Sequence, residues 1–100
     1  MPHQILSVAI WEPVPDMEAE SLATLRELSA ILTTKGYGRD LLFRDRELHY
    51  VLVRYWKSEE ARQAALEDPD MQRCWARLGN EIKIVKVYET LTEVSLDSTT

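Results

Sequence analysis

The chain alternates between apolar runs with the spacing of strands and segments with the spacing of helices. Four runs are rich in β-branched, aromatic or other large apolar side chains, as strands are. They are residues 5–11, 38–44, 47–56 and 81–91. Between the first two runs, leucines recur every three or four residues from Leu22 to Leu32, and Met71, Trp75 and Leu78 repeat that spacing before the last run. This periodicity predicts amphipathic helices, so the predicted order is βαββαβ.

Capping residues mark where the helices begin and end. Asp16 predicts the start of the first helix, and Gly36 closes it with a residue suited to the left-handed conformation. Ser58 is the predicted cap of the second helix. Asp68 and Pro69 interrupt that helix, where Asp68 can cap a new start and Pro69 suits the first helical position.

Connection lengths then determine the fold class. The strands at 38–44 and 47–56 are joined by a short turn at Asp45-Arg46, so they should pair antiparallel. Helical connections elsewhere predict a four-stranded antiparallel sheet with both helices on one face, the ferredoxin-like α+β arrangement. We expect residues 1–91 to form this domain and residues 92–100 to form a polar tail.

Both faces of the predicted sheet are apolar. In the first strand, Leu6, Val8 and Ile10 alternate with Ile5, Ser7, Ala9 and Trp11; in the third, His49, Val51, Val53 and Tyr55 alternate with Tyr50, Leu52, Arg54 and Trp56. Two helices cover only one face, and a large exposed apolar patch usually marks a partner surface. The sequence therefore predicts a homodimer related by two-fold symmetry through the sheet faces, with the tail packing on the second subunit. The alternative is a monomer with an apolar surface.

Composition narrows the classes of function. A chain of 100 residues is expected to form one domain, and its net charge of −5 argues against a nucleic-acid partner. A lone Cys74 excludes an internal disulfide, and two histidines with one cysteine are too few for a dedicated zinc site. No apolar run approaches the roughly 20 residues that span a bilayer, and the first residues lack the basic start of a signal peptide. We therefore expect a cytoplasmic protein without a membrane partner.

Three stretches in the second half carry a family resemblance. They are residues 53–61 (Val-Arg-Tyr-Trp-Lys-Ser-Glu-Glu-Ala), Asp68-Pro69 with Trp75, and residues 84–89 (Ile-Val-Lys-Val-Tyr-Glu). Together with the layout of residues 4–91, they resemble the antibiotic biosynthesis monooxygenase superfamily of dimeric α+β barrels. The resemblance implies a dimer with a hydrophobic pocket in each subunit. Relatives include cofactor-free oxygenases acting on polycyclic phenols and quinols, haem-degrading oxygenases, and members with no assigned activity.

The working residues of the haem-degrading branch are missing. That branch uses an Asn on the first strand, and a Trp and an axial His on the second helix. Here the first strand has no Asn and the second helix no His; Trp75 lies near the position expected for the His and Ala65 near that for the Trp. The resemblance thus points to a cofactor-independent monooxygenase that binds a quinol or polyphenol between sheet and helices. The alternatives are a non-catalytic binding or dimerisation module and a haem-binding protein without turnover.

Two residues are candidates for catalysis. His49 lies in the predicted third strand and could be a general base because imidazole titrates near neutral pH, or it could be an ordinary strand position. Arg54 lies in mid-sheet between apolar neighbours, where a guanidinium needs a partner. It either forms a salt bridge with a carboxylate or faces an anionic ligand, such as a phenolate or peroxy anion.

Four aromatic residues are candidates for binding the substrate. Trp11, Trp56 and Trp75 could supply the flat walls that suit a planar aromatic ligand, and the alternative, which the helical spacing of Trp75 favours, is that they belong to the core. Trp56, at a strand end, is the best candidate of the three. Tyr88 could donate a hydrogen bond to a substrate oxygen. Cys74 is predicted to be buried and inert.

Overall fold

A computed structural model describes residues 4–97 as one antiparallel sheet covered by helices on one face. The elements are β1 (Ile5–Pro13), α1 (Glu18–Thr34), β2 (Gly38–Arg44), β3 (Tyr50–Trp56), α2 (Glu59–Leu66), α3 (Pro69–Leu78) and β4 (Ile82–Thr92). The strand order is β2-β3-β1-β4, with every neighbouring pair antiparallel. The predicted ferredoxin-like α+β fold is confirmed. None of the helices in this described range is long and apolar enough to cross a membrane.

The β2–β3 hairpin is wider than the sequence predicts. The Asp45 carboxylate accepts hydrogen bonds from the backbone N–H groups of Glu47 at 2.8 Å and His49 at 2.9 Å. Leu48 has φ 66°, in the left-handed region that a strand does not use. β3 therefore begins at Tyr50, and the placement of His49 inside a strand was wrong, because these local bonds hold it in the hairpin loop.

The helix ends follow the predicted caps with one exception. α1 begins at Glu18, after Met17, and Asp16 precedes it with φ 67°, so Asp16 does not cap the helix as predicted. Gly36, with φ 73°, ends α1 in the expected left-handed conformation. At α2, the Ser58 hydroxyl accepts a hydrogen bond from the backbone N–H of Ala61 at 3.0 Å, which confirms that cap.

Asp68 links the end of α1 to the start of α3 by hydrogen bonds. One carboxylate oxygen caps α3 by accepting from the backbone N–H of Asp70 at 2.8 Å, immediately after Pro69. The other accepts from Lys35 Nζ at 2.8 Å and from Tyr37 Oη at 2.6 Å. The hydrogen bond from Lys35 and then that from Tyr37 lower the pKa of Asp68. The break at Asp68-Pro69 thus splits the predicted second helix into α2 and α3.

The core lies between the helices and the face of the sheet that they cover, here called the covered face. Its buried apolar residues are Trp11, Leu25, Leu28, Leu32, Tyr50, Leu52, Trp56, Ala65, Met71, Cys74 and Leu78. Cys74 is buried as predicted, and desolvation raises the pKa of its thiol. Trp75 packs at the edge of this core and is only half-buried.

The opposite face of the sheet, here called the open face, has no helix over it in residues 4–97. By strand register it carries Leu6, Val8, Ile10, Leu41, Phe43, Val51, Val53, Tyr55, Tyr88 and Leu91. Phe43 is 56% exposed and Tyr88 41% exposed. The sequence thus correctly predicted two apolar faces, of which this chain covers one.

Candidate functional site

A cavity of about 430 Å³ lies between the covered face and the helices, beside β1 and β4. Three tryptophans form much of its apolar wall: Trp11, Trp56 and Trp75. Its polar lining consists of Ser7, Arg54, Arg62 and Glu89. A cavity of this size with apolar walls and few polar groups is typical of small-molecule sites.

Two of the three tryptophan rings have a stacking or polar partner. Trp11 stacks on Tyr50 with the ring centroids 4.6 Å apart and the planes 16° from parallel. Trp56 Nε1 donates a hydrogen bond to the Ser7 hydroxyl at 2.7 Å. The structure therefore brings together three of the four aromatic residues predicted to bind substrate, and these contacts orient the rings of Trp11 and Trp56.

Tyr88, the fourth, lies on the open face because β4 is bulged. Ile84 pairs with Trp11, but Lys86 pairs with the residue before Trp11, so Val85 is an extra residue in the strand. Strict alternation from Ile84 would have put Tyr88 on the covered face. The bulge reverses the alternation, so Tyr88 is not brought together with the cavity.

Arg54 lines the cavity and forms a buried ion pair. Its Nε and Nη2 donate to the two carboxylate oxygens of Asp40 at 2.6 and 2.8 Å, and the two side chains are 7% and 5% exposed. Ser29 donates to the same carboxylate. The guanidinium lies 5.5 Å from the ring centre of Trp56. Of the two partners considered from the sequence, the structure thus shows the carboxylate, and Asp40, the one acidic residue of β2, could have indicated it.

His49 lies in the hairpin loop and does not line the cavity. Its Nε2 is 3.4 Å from a carboxylate oxygen of Glu12, and its Nδ1 is 3.4 Å from Asp45 and 3.8 Å from Glu47. The backbone hydrogen bond from His49 is the largest cause of the lowered pKa of Asp45. Asp45, Glu47 and His49 are close enough to share a metal ion, but exposed acidic groups often lie together without one. The two predicted catalytic residues, Arg54 and His49, are therefore in different regions of the molecule.

Three polar residues of the cavity were missed in the sequence. Arg62 donates to Glu59 from Nε at 3.0 Å and from Nη2 at 2.8 Å, and hydrogen bonds from Arg62 and then Gln63 lower the pKa of Glu59 to about 2. The hydrogen bond to Glu59 is the largest cause of the raised pKa of Arg62, and the charge of Glu89 raises it further. Ser7 shares a strand face with Trp11, which was a visible signal. Glu89 had none, because the bulge decides which way it faces.

A second hollow, of about 580 Å³, lies between α1 and β2. Leu22, Leu25 and Leu42 are among its lining residues. It is more open than the cavity described above, and no aromatic side chain of the described residues lines it. It is therefore less suited to enclose a planar aromatic molecule, despite its larger volume.

Comparisons with known proteins find the fold in solved structures. No protein-family model and no curated protein matches the chain. A protein of Chloroflexus aurantiacus, named provisionally as an antibiotic biosynthesis monooxygenase, has a TM-score of 0.74 at 15% identity, over 95% of this chain and 97% of the other. SnoaB, a cofactor-independent oxygenase from Streptomyces nogalater, has a TM-score of 0.75 at 17% identity, over 96% of each chain. A conserved protein of unknown function from Bacteroides thetaiotaomicron has a TM-score of 0.78 at 11% identity, over 93% of this chain and all of the other. The fold implied by the resemblance is thus confirmed.

Proposed function

We propose that the protein is a small cofactor-independent oxygenase that binds a hydrophobic aromatic compound, a quinol or polyphenol, in the cavity between the sheet and the helices. The observation that carries this proposal is the cavity itself. Trp11, Trp56 and Trp75 supply flat apolar walls, and a few polar groups could orient a hydroxyl-bearing ring. A further support is the shared fold with SnoaB, whose name describes a cofactor-independent oxygenase.

The proposed reaction needs only a base, an aromatic anion and oxygen. The bound phenol loses its hydroxyl proton, and the electron pair of the broken O–H bond enters the ring. The electron-rich carbon opposite then forms a bond to O₂ and becomes a peroxide. Loss of water from that peroxide leaves a quinone, so phenol plus O₂ gives quinone plus water. The ring is oxidised and the oxygen is reduced.

Arg54 is the proposed electrostatic partner of the anion. Its guanidinium lies over the Trp56 ring and is held in place by Asp40, so it cannot swing away when the negative charge forms. The prediction that His49 is a base remains untested. If His49 does take part, its place among Glu12, Asp45 and Glu47 requires the chemistry to extend to the hairpin loop.

We also propose that the active form is a homodimer in which two open faces pack together. Leu41, Phe43 and Tyr88 are more than one-third exposed, which is costly for apolar groups that meet only water. After β4, Val94 is 78% exposed and Leu96 95% exposed, which fits the proposed contact of the tail with the second subunit. Residues 98–100 of that tail lie outside the described residues.

Oxygen uptake by the purified protein tests the oxygenase proposal. The assay contains no added metal or flavin, and the panel holds quinols and polycyclic phenols. We expect uptake with at least one compound, and at least a tenfold loss in Ala9→Phe, because the larger side chain fills the cavity. Ala23→Phe, the same change at an exposed position of α1, is the matched control and should keep the activity.

Two results would contradict the proposal that the cavity is the active site. One is equal activity in Ala9→Phe and wild type while circular dichroism shows both folded. The other is a loss confined to His49→Gln, which would move the chemistry to the hairpin loop. Uptake lost in Arg54→Met, with the fold retained, would support the proposed role of Arg54.

A binding module without catalysis is the second candidate, and the paired charges favour it. Arg54 and Arg62 each already have a carboxylate partner, and no histidine of the described residues lines the cavity. Quenching of tryptophan fluorescence by panel compounds, without oxygen uptake, would support this candidate. Haem is included in the same titration, with and without a reductant, to test haem binding separately from turnover.

A further inference from the structure

Glu89 differs from the other charged groups of the cavity in having no ion-pair partner among the residues that the structure describes. Arg54 is paired with Asp40 and Arg62 with Glu59. Within residues 4–97, the Glu89 carboxylate makes no ion pair within 4 Å. Glu89 nevertheless lines the cavity together with Arg62, and its negative charge helps to raise the pKa of the Arg62 guanidinium. Its oxygens therefore keep the capacity to accept a proton or a hydrogen bond from a molecule in the cavity.

A second irregularity of β4 fixes the strand at Glu89. The pairing with β1 shifts between Leu6 and Val8, so Ser7 faces a bulge. The Ser7 hydroxyl donates to the backbone carbonyl of Glu89 at 2.5 Å and accepts from Trp56 Nε1 at 2.7 Å. This chain of bonds ties the backbone of Glu89 to the aromatic wall of the cavity. Bulges of this kind commonly redirect a side chain next to an active site.

We propose that Glu89 is the general base of the cavity and that the substrate of the proposed function binds in its neutral form, with its acidic hydrogen at the Glu89 carboxylate. This inference rests on the proposed function and assigns the proton-transfer step to a residue. The O–H bond of the phenol breaks, its electron pair stays on the substrate, and Glu89 takes the proton. Because Glu89 is exposed to solvent, it can pass the proton on to water.

The neighbouring charges suit this step. A neutral phenol brings a hydrogen-bond donor to the one cavity carboxylate that lacks an ion-pair partner among the described residues. Once the proton has moved to Glu89, the substrate carries the negative charge and the positive charge of Arg62 is close by. An anionic ligand would instead meet the charge of Glu89 on entry, so the arrangement favours a ligand that is neutral when it binds and ionises in place.

Anaerobic hydrogen exchange of anthrone tests the inference without any oxygen chemistry. Anthrone is the keto tautomer of a tricyclic phenol, and loss of a methylene proton gives the same anion as ionisation of that phenol. In D₂O under nitrogen, each C–H bond broken by the base is replaced by C–D, which NMR detects. We expect wild type to accelerate the exchange and Glu89→Gln to reduce it about a hundredfold, which is within the range of general-base catalysis.

Two further variants and a binding assay complete the experiment. Glu20→Gln, the same change at an exposed position of α1, should exchange anthrone within about twofold of wild type, as expected for a surface site. Glu89→Asp keeps the carboxylate and should retain part of the rate. Quenching of tryptophan fluorescence by anthrone should be similar in wild type and Glu89→Gln, which shows that binding is retained.

The outcomes separate this inference from the proposed oxygenase activity. Equal exchange in Glu89→Gln and wild type would overturn the role of Glu89, as would binding of anthrone by wild type without exchange. Exchange that depends on Glu89, with no oxygen uptake across the panel, would support the base and contradict the oxygenase. Failure of anthrone to bind at all would overturn this inference, whereas the oxygenase would still be judged by oxygen uptake across the panel.

Discussion

The two faces of the sheet are similar in apolar content but differ in where their charged side chains lie. The covered face buries Arg54 together with Asp40 and encloses a cavity. On the open face, two charged groups lie over aromatic rings: Arg39 is 4.6 Å from the ring centre of Tyr55, and Lys86 is 5.3 Å from that of Tyr88. Such groups shield apolar surface without leaving water.

This difference explains where specific chemistry can occur. A buried charge is tolerated only when partners hold it in a fixed position, and a fixed charge next to an apolar cavity can act on a ligand. The open face holds no comparable pair among the described residues, and its flat apolar surface suits association with another protein surface. This difference supports the proposals that a ligand binds at the covered face and that two copies associate through the open face.

The largest effect should come from halving the buried ion pair. Asp40→Ala leaves the Arg54 guanidinium buried without its partner, which typically costs about 3–5 kcal/mol of unfolding free energy. Urea denaturation measures the loss. Glu59→Ala, which halves the exposed pair with Arg62, is the matched control and should cost at most about 1 kcal/mol.

A double variant distinguishes loss of the pair from loss of packing. Asp40→Leu with Arg54→Met replaces both charges by apolar groups and should recover most of the stability lost in Asp40→Ala. Equal losses in Asp40→Ala and Glu59→Ala would show that the two pairs do not differ as their burial indicates. The conclusion that the covered face depends on a buried ion pair, and the surface does not, would then be contradicted.

A charge in the middle of the open face should separate the proposed dimer. Val53 lies opposite Val8 at the centre of this face, so Val53→Lys would bring two ammonium groups into the symmetric interface. We expect the dissociation constant to rise at least about a hundredfold, or roughly 2.7 kcal/mol, in sedimentation equilibrium. Val94→Lys, the same change on the exposed tail, should have a smaller effect. A wild type that sediments as a monomer would remove this role from the open face.

The smallest effect should come from Asp68, which links the end of α1 to the start of α3. Hydrogen bonds from Lys35 and Tyr37 lower the pKa of Asp68 below its ordinary value of 3.8. Such a carboxyl contributes stability above its ordinary pKa and loses it as the pH falls through the lowered value. Asp68→Asn should therefore melt at a lower temperature than wild type at pH 6, and this difference should shrink below pH 4.

Thermal melts followed by circular dichroism measure this pH dependence. Glu60→Gln, at an exposed position of α2, is the control, and its melting temperature should match that of wild type both at pH 6 and below pH 4. If the difference in melting temperature between Asp68→Asn and wild type stays constant with pH, the ionised carboxylate does not stabilise the contact between α1 and α3. The loss would then come from packing or from the cap of α3.

Local pattern was sufficient for the elements and for the two apolar faces. The caps at Ser58 and Asp68 and the left-handed Gly36 depend on neighbours a few residues away, so they could be predicted from the sequence. The helical spacing of the leucines and the alternation in β1 and β3 have the same local origin. The Asp16 cap failed because the backbone there turns with a positive φ before the helix starts.

The candidate site depends on contacts that are distant in sequence. Arg54 forms an ion pair because the register of β2 and β3 places Asp40 opposite it. Tyr88 faces away from the cavity because pairing with β1 leaves Val85 as an extra residue in β4, which reverses the alternation of side chains before Tyr88. Glu89, the next residue, lines the cavity. The sequence by itself therefore determined the order of strands and helices and the presence of two apolar faces. Only the tertiary structure decided which polar groups meet at the cavity, since strand register is set by pairing between segments far apart in the chain.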